Sequence, residues 1–142
     1  QGFADGLGVD LGNQMIDSGQ DPSEVQNRVM AYLNANPDTD AILTLGPTSA
    51  DPTILALEEM GLAGDIYFGT FDLGDDIVQA IRDGVIQWGI DQQPYLQAYL
   101  PVVVMANYHR FGVLPGNNIN SGPGFVTADG LEMVEQFAGE YR

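Results

Sequence analysis

Residues Ile66 to Pro94 read IYFGTFDLGDDIVQAIRDGVIQWGIDQQP. Ile66, Tyr67, Phe68, Thr70 and Phe71 are strand formers with little polarity, as expected of a strand covered on both faces. Asp72 stands where that strand should end. Asp75 or Asp76 can cap the helix that follows, and Ile77, Ala80 and Ile81 give that helix one apolar stripe. Gly84 stops it. Val85, Ile86, Trp88 and Ile90 then form a second strand, which ends in Asp91, Gln92, Gln93 and Pro94. Two parallel strands joined by a helix bring both carboxyl ends to one sheet edge, where open α/β folds bind ligands. Asp72 and the Asp91, Gln92, Gln93 group are therefore expected to face one cleft.

The same rhythm extends on the N-terminal side. Gln1 to Leu7 reads as the end of a helix, with Phe3 and Leu7 at i, i+4 spacing. Asn13 to Asp17 is a short strand candidate. Asp21, Pro22 and Glu24 signal a helix start, with Asp21 as N-cap, and Val25, Val29, Tyr32 and Leu33 form its buried stripe. Ala41 to Leu45 is a buried strand and Gly46 to Ala50 a loop. Asp51-Pro52 is expected to start the next helix, which runs to Gly61. Alternation of this kind implies an α/β fold with a parallel sheet and helices on both faces. After Pro94 the pattern changes. Tyr95 to Phe111 reads as a nearly all-apolar helix with Pro101 inside it, the kind normally buried between layers. A Gly/Pro/Asn-rich connection follows, then a short extended piece at Phe125-Val126. Thr127 or Asp129 caps a last helix from Leu131 to Tyr141.

Composition narrows the function. The chain has 142 residues, enough for one domain with a core. Its formal net charge is −16, from 20 acidic residues against four basic ones, all arginine. Nothing here could neutralise phosphates, which argues against nucleic acid or an anionic membrane as partner. There is no cysteine and only one histidine, His109, so disulfides and thiolate chemistry are excluded, and a zinc site would lack cysteine and a second histidine. No apolar run reaches the ~20 residues of a membrane span. The sequence begins at Gln1 inside a helical pattern, which suggests a processed or truncated chain.

TFDLGDDIVQAIRDGVIQWGIDQQPYLQAYLPV resembles the C-terminal part of the periplasmic sugar-binding proteins of ABC importers, the type I, ribose-binding-like family. QGFADGL at the start, DAILTLGPTSADPTILALEEMGL in the middle and SGPGFVTADG near the end match in family order. The resemblance implies one Rossmann-like or flavodoxin-like lobe plus hinge crossovers. Residues 1–92 would form the C-terminal lobe. Residues 93–112 would be a crossover helix belonging to a missing N-terminal lobe. Residues 113–142 would be the return crossover and a C-terminal helix. A helix without its own lobe exposes apolar surface, so a homodimer or domain-swapped assembly is expected of this chain alone.

The resemblance also implies binding residues. Asp72 would accept hydrogen bonds from sugar hydroxyls, since a carboxylate can take two at once; its bland role is a helix cap. Gln92 matches a hinge-region glutamine that contacts the sugar, its amide offering donor and acceptor together; the alternative is a structural amide. Thr48 stands where the family often has an Asn-Asp pair or a Gly-Pro-Asn segment, and the alternative is a plain turn. Asp51 reads as a cap and Trp88 as core. The arginine that the family places just before the first helix is not in this sequence. The implied function is binding of a simple sugar or polyol for uptake through an ABC permease, with this chain a fragment that carries half the binding site. That places the protein in the periplasm, or lipid-anchored outside the cytoplasm, with no catalytic residue, metal or cofactor. One alternative is the effector-binding domain of a sugar-responsive transcription regulator. A second is a Mg²⁺-dependent flavodoxin-like enzyme using Asp51, Asp72 and Asp91; its phosphate chemistry would lack the usual lysine.

Overall fold

The computed structural model describes Asp5, Gly6, Gly8 and residues 15–141. The first expected helix and strand fall largely outside these residues. Asp5 and Gly6 are helical, and residues 15–17 are not in a strand.

Helix α1 spans Pro22–Ala35. Asp21 caps it as expected, its carboxylate accepting the N–H groups of Ser23 at 3.0 Å and Glu24 at 3.1 Å. The Ser23 hydroxyl and these N–H groups hold the Asp21 carboxyl below its ordinary value. Val25, Val29 and Leu33 are buried on one face, the i, i+4, i+8 spacing of an amphipathic helix. Strand β1 is Ala41–Leu43.

Helix α2 spans Pro47–Met60. It starts five residues before the expected Asp51-Pro52 boundary, with Gly46 in place of Asp51 as N-cap. Gly46 ends the strand connection with φ 154°, and Pro47 enters the first turn, where its missing N–H costs nothing. Pro52 then lies inside the helix, buried on its core face. Gly61 closes the helix in the left-handed region at φ 68°, and the Leu62 N–H reaches back to the Leu57 carbonyl at 2.8 Å.

Strand β2 is Tyr67–Phe71. Helix α3 is Asp75–Arg82. Its N-cap is Gly74 without a side-chain bond, so neither Asp75 nor Asp76 is the expected cap. Both occupy the first turn, where negative charge complements the helix dipole. Strand β3 is Trp88–Asp91, shorter than the pattern suggested. Val85 and Ile86 are buried in the approach to it. The Gln87 side chain bridges that approach, accepting from the Phe68 N–H and donating to the Gly84 carbonyl.

Strands β1, β2 and β3 are parallel and adjacent in chain order. A fourth, β4 at Gly124–Val126, pairs antiparallel with β3, so the sheet is mixed. Register and alternation put Phe68, Thr70, Gly89 and Val126 on one face. Phe68 and Thr70 are fully buried there with Ile77, Ile81 and Leu57. A side chain at Gly89 would meet Leu73 and Ile81, so this is the face under α3. The opposite face carries Gly69, Trp88 and Phe125. The Trp88 ring lies over Gly69, where a Cβ would sit 2.2 Å from the indole. Trp88 also meets the Phe125 ring, centroids 5.6 Å apart. Core packing is the expectation for Trp88, but the residue is half-buried on this face and is not among the residues of the hydrophobic core.

Helix α4 spans Pro94–Phe111 with Pro101 inside, and none of its residues is buried. Tyr99, Val102, Met105 and Tyr108 are all more than half exposed. The last expected helix, Leu131 to Tyr141, is instead two 3₁₀ turns, Ala128–Met133 and Glu135–Phe137. Neither Thr127 nor Asp129 caps it through a side chain: Thr127 takes the N-cap position without a bond, and Asp129 falls in the first turn. Leu131, Val134 and Ala138 still reach the core, and Arg82 pairs with Glu135 to tie the segment to α3.

Candidate functional site

The carboxyl ends of β1, β2 and β3 lie side by side. The Thr44 N–H bonds the Gly69 carbonyl at 3.1 Å and the Asp72 N–H bonds the Ile90 carbonyl at 2.8 Å. Register therefore carries Asp72 to the flank of Asp91, with the start of α2 on the β1 side.

Asp72 leaves β2 in the left-handed region, φ 61°. Aspartate tolerates that conformation better than most residues. The residue is half-buried, and its Oδ1 is buried with no hydrogen-bond partner. A buried carboxylate oxygen without a donor is costly, so such an atom invites one from outside. Asp72 is not a helix cap, because that position falls to Gly74.

Asp91 ends β3 at 1% exposure, and its Oδ1 accepts the Gln93 N–H at 2.8 Å. Gln92 is half-buried, and its carbonyl accepts from the Gln97 side chain at 2.7 Å. Thr48 is exposed in the first turn of α2. It sits on a helix start, not in the expected loop. Asp51 is a turn further along and is no cap. Burial pushes its carboxyl above the ordinary value, and the charge of Asp76 adds to the effect. Among the described residues no three His, Cys, Asp or Glu side chains are grouped to hold a metal ion. His109 lies in the last turn of α4.

The sequence reading missed one polar pair. The Thr44 hydroxyl donates to the Thr70 hydroxyl at 2.7 Å, and both residues are buried. The pair joins β1 to β2 just below the edge. The available signal was a threonine at the same place in two apolar strands, AILTL and YFGTF. A separate apolar groove of about 680 Å³ runs along α4, lined by Leu96, Leu100, Pro101, Val104, Leu114 and Ile119. It does not include the strand ends.

Parallel strands whose carboxyl ends share one edge, with helices between them, define an open α/β lobe, a fold that binds ligands at such an edge. The chain belongs to the periplasmic binding protein domain family, whose model matches residues 1–112. It is 31% identical over 116 residues to the xylose/arabinose-binding protein XylF of Sulfolobus acidocaldarius, covering 78% of this chain and 29% of that protein. It superposes with TM-score 0.75 and 32% identity on a carbohydrate transporter from Acidothermus cellulolyticus in complex with myo-inositol. That match covers 83% of this chain and 41% of the other. A periplasmic sugar-binding protein of an ABC sugar transporter from Legionella pneumophila matches with TM-score 0.72 and 27% identity, over 85% of this chain and 44% of the other. The chain thus spans less than half the length of these relatives.

Proposed function

We propose that this chain is the C-terminal lobe of a two-lobed receptor that binds a simple sugar or polyol outside the cytoplasm and hands it to an ABC permease. Residues 15–92 form the body of the lobe, completed by β4 and the 3₁₀ turns of the returning chain. Residues 93–112 cross to a second lobe and pack on it. Residues 113–142 return. Asp72, Gln92 and Thr48 are the sugar contacts of this lobe. The observation that carries the reading is the buried, partnerless Oδ1 of Asp72 at the end of β2. Sugar hydroxyls are the donors it lacks, and Gln92 beside it can donate and accept in turn. The relatives, described as binders of xylose or arabinose and of myo-inositol, support that ligand class.

Calorimetric titration of the two-lobed receptor that contains this chain, with a panel of pentoses, hexoses and cyclitols, tests this. A panel member should bind, and Asp72→Ala should weaken it by about 2 kcal/mol, roughly 30-fold, as expected for a hydrogen bond to a charged group. A sugar bound equally well by the Asp72→Ala protein would sink the assignment of the site.

A further inference from the structure

Among the described residues, Asp91 is the one charged side chain that is buried. A carboxylate is kept out of water only where its hydrogen bonds compensate. One of these bonds goes to the N–H of Gln93 at 2.8 Å. Gln93 stands in the left-handed region, φ 55°, directly before α4. That conformation is unfavourable for a glutamine, and neither glycine nor asparagine is there to relieve it. The side-chain bond two residues back is what closes the turn.

The neighbourhood converges on the same residue. Gln97 reaches back to the Gln92 carbonyl at 2.7 Å. On the other side the returning chain presses in: a Cβ on Gly122 would lie 3.0 Å from the Asp91 carbonyl oxygen, and Gly124 pairs with Asp91 in the sheet. At 1% exposure, Asp91 is out of reach of a ligand arriving from solvent, whereas Gln92 is not.

We infer that Asp91 is a positioning residue: its carboxylate locks the left-handed turn at Gln93 and so fixes both the placement of Gln92 and the departure of α4. The importance of Gln92 rests on the sugar-binding reading; the lock itself does not. Asparagine at 91 keeps an acceptor oxygen in place, while alanine removes it.

Amide hydrogen exchange on the intact chain is the test. Gln93 exchange should accelerate at least tenfold in Asp91→Ala and stay within about threefold of the parent in Asp91→Asn. Equal exchange in parent and Asp91→Ala overturns the inference. If Asp91→Ala does not fold, the Asn variant decides: a folded Asp91→Asn protein with an unprotected Gln93 amide also overturns it, and a protected amide supports it. These readouts involve no sugar, so they stand or fall separately from the binding titration.

Discussion

Asp51 carries a charge that its surroundings disfavour. It is half-buried, it is no helix cap, and its carboxyl is pushed up by burial and by Asp76. A carboxyl whose folded-state pKa is raised binds more protons folded than unfolded between the ordinary value and the raised one. Stability therefore falls as pH rises through that window, and the penalty persists above it. Asp51→Asn should raise the melting temperature at pH 7 and leave it unchanged below about pH 3, where both states are protonated. A lower melting temperature at pH 7 would mean that the ionised group has a favourable partner. Gly69 offers a second test at this scale. A methyl there would sit 2.2 Å from the Trp88 ring, so Gly69→Ala forces the indole off the sheet. Overpacking of this kind costs about 1–3 kcal/mol, which denaturant unfolding will show as a lower midpoint. An unchanged midpoint would mean that Trp88 moves freely.

At the scale of elements, legibility followed the strength of the local signal. The Asp21-Pro22 start of α1 was readable because cap chemistry and apolar spacing agree there. The Asp51-Pro52 start was misread because the same dipeptide recurs inside a helix already begun at Pro47. The strand-end positions of Asp72 and Gln92 were legible from the β2-α3-β3 pattern. The Thr44–Thr70 pair was not, because pairing depends on register between strands 26 residues apart. The C-terminal 3₁₀ turns were invisible for a similar reason: Leu131, Val134 and Ala138 have helix-compatible spacing, and only packing on the core decides the tighter winding.

For the whole molecule, charge and apolar surface are segregated. Residues 92–128 contain none of the 20 acidic residues, and this acid-free stretch includes α4, which has no buried residue. A surface of this kind promotes association, while the acidic remainder repels other copies. We therefore expect light scattering to show self-association of the chain that grows with salt as the repulsion is screened. Val102→Asp with Met105→Glu should reduce it, since both positions are more than 60% exposed. A monomer at all salt concentrations would show that α4 tolerates solvent.

The indole lying over Gly69 is the chain's single tryptophan. It stands at the first residue of β3, three residues before Asp91. Its emission colour depends on how tightly β2 and β3 hold it and on how much water reaches the ring. The protein thus carries its own optical gauge of the strands that end in Asp72 and Asp91, with no dye and no second fluorophore of its kind to confuse the signal.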